Sequence, residues 1–282
     1  MKRTMAVMLL CLLLGCAEKS KNTSAAFSES KEKNHFVYQD QPVQNNHIDT
    51  MQIREAHFRI DENGVITKYS GPHNVPLVIP PSIRGVPVTA INGISSINSF
   101  SGVFRNMELT SVAIPDTVSY IGSTTFSNNK LTSVAIPGSV SYIGEAAFSG
   151  NQLSSVVIPG SVSYIGNSAF TFNQLTSVVI PGSITEIRPD TFSNNRLTSV
   201  VIPDSVTIIY PDAFKDNPIT SITIGANVEL FEYSYTETAS YAGLEYITVA
   251  FTVFDNNFSD FYNDNGKQAG AYVFNDGQWS ME

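Results

Sequence analysis

Residues 131–152 read LTSVAIPGSVSYIGEAAFSGNQ, and this 22-residue unit recurs in register along the middle of the chain. The successive units begin at Leu109, Leu131, Leu153, Leu175, Leu197 and Ile219. Five complete copies cover 109–218, each with Pro at position 7, Phe at position 18 and Asn at position 21. A fixed short period is typical of repeat architectures, so the period decides the fold more than any single motif does.

The unit divides into two extended segments and a remainder rich in turn residues. T-S-V-x-I alternates and is β-branched, which predicts a strand that Pro ends because it has no N–H for a ladder. V-S-Y-I predicts a second strand, Gly at position 14 a turn, and Phe the largest core side chain. We expect Asn at position 21 to bond the backbone of the next coil. One unit cannot bury its own apolar face but stacked units can, so the sequence predicts a mainly β solenoid of 22-residue coils whose parallel strands are about 4.8 Å apart.

The segment 49–108 is predicted to form an N-terminal cap and a first, irregular repeat. Residues 77–80 match the strand and proline of the unit, and Phe104 precedes Leu109 at the regular spacing. An insertion around Ile94–Gly102 is expected to form a surface loop. Upstream, 58–71 is predicted to form a hairpin with an Asn63-Gly64 turn that covers the open N-terminal end of the solenoid.

The repeats are expected to span 109–224, and 225–282 to form a C-terminal cap rich in aromatic and acidic residues. Phe258, Phe261 and Tyr262 stand at helical spacing, which predicts a short helix after an Asp/Asn start. Asn275-Asp276-Gly277 predicts a type I′ turn between two strands. The aromatic residues would close the last coil, and the alternative is an acidic, aromatic binding module.

The consensus L-x-x-V-x-I-P-x-S-V-x-x-I-G-x-x-A-F-x-x-N resembles the Treponema pallidum-type, or BspA-like, leucine-rich repeats over about residues 77–224. The resemblance implies a curved leucine-rich-repeat β-solenoid, exposure on the cell surface and protein–protein recognition, including adhesion to host matrix proteins in some members. The family's unit is usually one residue longer and often has Cys where this chain has Asn. That departure concerns packing detail more than the fold.

The N-terminus MKRTMAVMLLCLLLGCAEKS has a basic start and a short apolar stretch, the pattern of a signal peptide. It ends Leu13-Leu14-Gly15-Cys16, which resembles a bacterial lipobox. The resemblance implies cleavage of 1–15 and lipid on Cys16, and Ala17 favours the outer membrane; an ordinary secreted protein is the alternative. Polar residues 16–48 have no helical or strand period and are predicted to form a disordered tether.

Composition excludes several classes of function. The net charge is −9 and charged residues make up 15% of the chain, so we expect no nucleic-acid partner. All four His precede the repeats without metal-ligand spacing, and Asp255–Gly266 fails the calcium-loop pattern. No nucleophile, phosphate-loop or dinucleotide motif occurs. We therefore expect no catalytic residue, no metal, no cofactor and no enzyme.

Two columns of side chains are candidates for binding. Position 12 carries Tyr120, Tyr142 and Tyr164, predicted to form an exposed aromatic ladder for protein or sugar contacts, or merely to stabilise neighbouring coils. Position 5 is predicted to point outward and give an apolar stripe with Val157, Val179 and Val201, flanked by serines. The resulting hypothesis is a lipid-anchored surface protein that binds a protein partner; the alternative is a structural envelope or polysaccharide-binding module.

Overall fold

The computed structural model describes residues 55–92, 102–231, 233–237, 247–251 and 257–281, of which 233–237 and 247–251 are described by their backbone alone. All of these residues belong to one compact unit, Asp49–Glu282. The predicted signal peptide, Cys16 and the predicted tether lie outside the described residues. The insertion expected around Ile94–Gly102 also lies outside them, except for Gly102.

The described part of the chain is mainly β, as predicted. It has a 3₁₀ turn at Glu55–His57 and one α-helix, α1 (Phe258–Asp264). The strands are β1 (Phe58–Ile60), β2 (Val65–Tyr69), β3 (Leu77–Val78), β4 (Ser82–Ile83), β5 (Val86–Pro87), β6 (Ala90–Ile91), β7 (Val112–Ala113), β8 (Tyr120–Ile121), β9 (Tyr142–Ile143), β10 (Ser155–Val157), β11 (Tyr164–Ile165), β12 (Ser177–Val179), β13 (Glu186–Ile187), β14 (Ser199–Val201), β15 (Ile208–Ile209), β16 (Ser221–Ile224), β17 (Glu229–Leu230), β18 (Tyr233–Glu237), β19 (Ile247–Phe251), β20 (Gly270–Asn275) and β21 (Gln278–Met281).

The predicted N-terminal hairpin is confirmed. Strands β1 and β2 pair antiparallel around a turn in which the Asp61 carboxylate accepts the backbone N–H groups of Asn63 and Val65, both at 2.9 Å. Gly64 has φ +82°, a left-handed conformation that glycine adopts without steric cost. Strand β2 then pairs parallel with β6, so the hairpin covers the first coil.

Successive coils stack with their strands parallel and shifted by one 22-residue unit. The first strand segment of each unit forms what we call the first ladder, for example Val156 beside Val178. The second segment forms the second ladder, in which β6, β8, β9 and β11 follow one another in register. The stacking confirms the solenoid of 22-residue coils.

The core of the solenoid is a column of stacked phenylalanine rings. Neighbouring ring centroids are 5.4–5.8 Å apart, and every ring is fully buried or nearly so. The members are Phe104, Phe126, Phe148, Phe170, Phe192 and Phe214. Leu at position 1, Val or Ile at position 10 and Ile at position 13 are buried around them, so the repeated apolar positions form one continuous core.

The position-21 asparagines bond backbone groups as expected, but the predicted direction was wrong. Asn151 Oδ1 accepts the N–H of Leu131 at 3.1 Å, and its Nδ2 donates to the carbonyls of Phe126 and Phe148 at 2.9 and 3.0 Å. Leu131 and Phe148 belong to its own unit and Phe126 to the preceding one, and none belongs to the next. Asn129, Asn173, Asn195 and Asn217 repeat the pattern, so each amide joins its coil to the one before.

The turn that carries each Phe adds a third set of bonds between coils, which we call the turn column. The N–H of each Phe donates to a carbonyl of the following coil at 2.8–3.0 Å, from Phe104 to Thr125 through Phe192 to Ala213. In this geometry, the residues at positions 16 and 20 of every complete unit have a left-handed backbone conformation, with positive φ. They are Thr124, Asn128, Ala146, Gly150, Ser168, Phe172, Asp190, Asn194, Asp212 and Asp216.

The two ladders are interrupted at different junctions of the described coils. The first stops between Ala113 and Ala135 and again between Val179 and Val201. The second stops once, between β11 and β13, where a narrow surface crevice is lined mainly by isoleucines and Phe192. Position 14 changes here from Gly166 to Arg188. A Cβ on Gly166 would lie 2.5 Å from the nitrogen of Glu145, so the junction before the break has no room for a side chain at this position. The ladder resumes at the next junction, where the Tyr210 N–H donates to the carbonyl of Ile187 at 2.8 Å.

The C-terminal segment closes the last coil, as the cap prediction stated. Strand β20 pairs antiparallel with β16, and β20 and β21 form a hairpin whose Asp276 and Gly277 both have positive φ, as a type I′ turn requires. The predicted helix is α1. From it, the Tyr262 hydroxyl donates to the carbonyl of Gly225 at 2.6 Å and accepts the N–H of Val228 at 3.2 Å. Phe258, Tyr262 and Tyr272 are fully buried, so these three aromatic side chains serve packing.

Candidate functional site

The valine stripe, formed by Val157, Val179 and Val201, is the outward row of the first ladder. These side chains are 75%, 69% and 62% exposed, whereas Val156 and Val200 beside them in the strands are buried. The difference follows from strand geometry, because successive side chains point to opposite faces. Val78 in β3 is 58% exposed at the equivalent place. The structure therefore places the three predicted residues side by side on the surface.

The neighbours of the valine stripe are small and uncharged. Across the six units, positions 2, 3 and 5 contain only Thr, Ser, Ala and Val. Ser155, Ser177 and Ser199 are exposed in the same strands as the valines. Like charges in a column would repel at the spacing of paired strands, whereas these residues do not. A partner can cover this face without removing a charge from water.

The tyrosine column, formed by Tyr120, Tyr142 and Tyr164, lies on the second ladder. Neighbouring rings are stacked, with centroids 4.5 and 4.4 Å apart and interplanar angles of 9° and 2°. The side chains are half-buried, so the predicted exposure was too high: the rings cover one another and present mainly their edges. Burial, with a smaller effect of the phenols on either side, raises the pKa of Tyr142 well above its ordinary value of 10.0.

A cation closes the C-terminal end of the tyrosine column. The Arg188 guanidinium carbon lies 4.7 Å from the centroid of the Tyr164 ring. Glu186, which stands where a fourth tyrosine would be, accepts a hydrogen bond from Arg188 Nη2 at 3.2 Å. The carboxylate thus holds the guanidinium over the ring, an arrangement stabilised by attraction between the cation and the π face.

The structure does not bring the two candidate columns together. The valines lie in the sheets of the first ladder, and the tyrosines lie in the six-stranded sheet of the second ladder. A single small ligand contacting both sets would have to bridge two sheets. The two columns are therefore separate candidate surfaces.

Sequence reasoning missed Phe172 as a candidate. This side chain is 62% exposed, and its backbone has φ +54° at position 20, where the other complete units carry Asn, Gly or Asp. A bulky residue is a genuine outlier in the left-handed region. The aligned repeats contain the signal, because an aromatic residue replaces a turn residue in one copy only.

Within the described ranges, no group of three or more His, Cys, Asp or Glu could hold a metal ion. His57 packs edge-on against Tyr69 in the N-terminal hairpin, with ring centroids 6.2 Å apart. Over the same ranges, no helix combines the length and apolar character needed to cross a bilayer.

Comparisons with known proteins agree with the repeat. No curated protein matches the chain. The solved structures that resemble it include a leucine-rich repeat protein from Bacteroides ovatus ATCC 8483 (24% identity, 60% of this chain and 51% of that chain, TM-score 0.46). They also include a leucine-rich cell surface protein from Faecalibacterium prausnitzii A2-165 (28% identity, 65% of this chain and 56% of that chain, TM-score 0.47) and the pneumococcal vaccine antigen PcpA (20% identity, 61% of this chain and 48% of that chain, TM-score 0.46). The matches span about half the length of each of those proteins.

The model of the BspA type leucine-rich repeat region matches six copies over residues 95–221. This range contains the phenylalanine column, both candidate columns and most of the asparagine bonds described above. Residues 95–221 of this chain are therefore similar to the BspA type leucine-rich repeat region.

Proposed function

We propose that this protein is lipid-anchored at the bacterial cell surface and binds another protein through the valine stripe. The observation that carries the binding proposal is the exposure of Val157, Val179 and Val201 in adjacent coils, at 75%, 69% and 62%. Apolar side chains exposed in a contiguous row are typical of protein interaction sites. Host matrix proteins are the partners that the family resemblance suggests.

The surroundings of the valine stripe support a protein partner. Hydroxyl groups flank the valines, so the face has apolar contacts at its centre and hydrogen-bonding groups beside them. Protein interfaces commonly combine a desolvated apolar centre with a polar rim. The exposed Phe172 is a further contact residue in this proposal, since its left-handed backbone costs stability that packing does not return.

The tyrosine column gives less support to the polysaccharide alternative. Sugars stack on aromatic ring faces, and here the internal faces are occupied by neighbouring tyrosines while Arg188 covers the last one. The column therefore offers edges and hydroxyl groups along most of its length. We assign it mainly to holding coils together.

The surface location in this proposal depends on the N-terminal sequence. A signal of the lipobox type ending at Cys16 supports anchoring, and 16–48 would hold the folded part away from the membrane. Protease treatment of intact cells is expected to release the compact unit into the medium. Release only after lysis would contradict surface display.

The binding proposal is tested with the compact unit 49–282, immobilised and exposed to solubilised host matrix proteins. The V157T/V179T/V201T variant keeps β-branched side chains but lowers apolarity, and we expect saturable binding to weaken at least about tenfold. The matched control S163A/T185A/T207A changes three exposed residues of the same coils beside the second ladder, and should bind normally. Equal binding by both variants would contradict the valine stripe, and binding to glycans without any protein ligand would favour the alternative.

A further inference from the structure

The N-terminal end of the tyrosine column differs from its C-terminal end, where Arg188 covers the ring of Tyr164. Along the second ladder, Tyr120 is in register with Ala90, and Ala90 with Val65. All three are partly exposed on the outward face, whereas Ile66, Ile91 and Ile121 beside them are buried. The position that holds a phenol in the next three coils therefore holds a methyl group. Because neighbouring strands are about 4.8 Å apart, Ala90 leaves a slot one side chain wide between Tyr120 and Val65.

The opposite end of the same column shows what such a ring face accepts. There the Arg188 guanidinium lies 4.7 Å from the Tyr164 centroid, and Glu186 holds it by a hydrogen bond. A guanidinium is flat, weakly hydrated and able to stack on an aromatic ring, so it suits a slot of this width better than an ammonium does. The chain itself thus provides a model for the missing occupant.

Polar groups suited to a guanidinium flank the slot. The turn formed by residues 61–64 is hydrogen-bonded to Thr89, the residue before β6, which carries Ala90. The Thr89 N–H donates to Gly64 O at 2.9 Å, and Thr89 Oγ1 donates to Asn63 O at 2.8 Å. This turn carries the exposed carboxylate of Glu62. On the other side, Asn92 directs its Oδ1 towards Gly122, two residues after Tyr120. The turn that carries Glu62 is therefore bonded next to the strand of the slot, and the amide oxygen of Asn92 lies beside the strand of Tyr120.

We propose that the slot above Ala90 binds an arginine side chain of a protein partner, stacked on the face of Tyr120 that no aromatic ring of the described residues covers. The site lies on the second ladder and is separate from the valine stripe. This proposal rests on the proposed function in one respect: it assumes that the arginine belongs to a protein partner. The chain's net charge of −9 favours a basic partner segment.

The test follows the tyrosine ring signals of the full chain by NMR with ring-¹³C tyrosine. The probe is the peptide acetyl-Gly-Arg-Gly-amide, and the comparison peptide has citrulline in place of arginine, which keeps the shape and removes the charge. We expect saturable shifts of Tyr120, with arginine binding about two- to fivefold tighter than citrulline. Equal responses to both peptides, or none at Tyr120, would overturn the proposal.

Two variants make the result specific. Ala90→Tyr fills the slot with the residue of the neighbouring coils, so it should fold normally and lose the Tyr120 response. Arg188→Ala uncovers Tyr164, so it should gain a second arginine-dependent response there. A response at Tyr164 in Arg188→Ala with silence at Tyr120 would show that the slot is not available and would refute the proposal. Saturation of Tyr120 by raising the concentration of the chain alone would assign the slot to a second copy and would also refute it.

Failure of this test is distinguishable from failure of the proposed function. The peptide probe reports on Tyr120 without any natural partner, whereas the valine variants report on partner capture. Loss of one result leaves the other unchanged.

Discussion

A Cβ atom on Gly144 would lie 2.5 Å from the backbone nitrogen of Ser123 in the preceding coil. This approach is set by the stacking of two backbones, so no side chain can move away to relieve it. Gly144 is therefore a packing requirement at this junction between coils, whereas the later units carry Arg188 and Tyr210 at the same position.

Gly144→Ala is expected to destabilise the protein by about 1–3 kcal/mol, the usual cost of overpacking. Gly138→Ala in the same coil is the matched control, because a Cβ there meets nothing within 4 Å. It should be neutral or slightly stabilising, since alanine lowers the entropy of the unfolded chain. Urea unfolding of both variants measures the difference, and equal midpoints would contradict the close-stacking argument.

Asn151→Ala is expected to cost about 3 kcal/mol or more. The change leaves the buried N–H of Leu131 and the carbonyls of Phe126 and Phe148 without the amide that bonds them, and each unsatisfied buried group costs about 1–3 kcal/mol. Asn128→Gly is the control, because Asn128 is exposed and left-handed, a conformation that glycine adopts freely. A comparable loss in the two variants by thermal unfolding would mean that the asparagine bonds contribute little.

Tyr142 predicts a dependence of stability on alkaline pH. Its folded-state pKa is raised above 10.0, chiefly by burial. A group with a raised folded pKa contributes stability that is fully present below the unfolded pKa, here about pH 10, and is lost as pH rises through the folded value. We expect the free energy of unfolding to fall above pH 10, and less steeply in Tyr142→Phe. Absorbance of phenolate at alkaline pH should show late titration of this residue, and superimposable pH profiles would exclude the effect.

Phe172→Asn is expected to stabilise the protein by about 0.5–1 kcal/mol. Asparagine adopts the left-handed region more readily than phenylalanine, and Asn128 and Asn194 already do so at the same position. If Phe172 contributes to partner binding, the same variant binds the matrix ligand more weakly while unfolding at a higher temperature. An unchanged or lower unfolding temperature would mean that the side chain packs better than its 62% exposure indicates.

Cys16→Ala is expected to abolish labelling of the protein by radioactive palmitate in growing bacteria, because the thiol is the acceptor in the lipobox prediction. Cys11→Ala serves as the control and should leave labelling intact. Persistent labelling of Cys16→Ala would contradict the lipid anchor.

The periodic part of the fold was predictable because the same apolar positions recur in every unit. Phe148 and Leu153 take core positions that any of the copies would indicate. The direction of the Asn151 bonds was not predictable, because a strictly periodic sequence does not distinguish the preceding coil from the next one. The break after Ile165 was not predictable either, because positions 10 and 13 of the unit stay aliphatic on both sides of it. The half-burial of the tyrosine column likewise depends on ring stacking, which only coordinates give.

The turn column is continuous and the two ladders are not, and this difference has a mechanical consequence. The turn column runs through every complete coil, whereas the first and second ladders are each interrupted at different junctions. A load that flexes the stack would therefore open the faces that carry the sheets and leave the turns joined. The side of the stack that carries the phenylalanines would stay hydrogen-bonded. Bending would then change the curvature of the valine stripe without separating the coils.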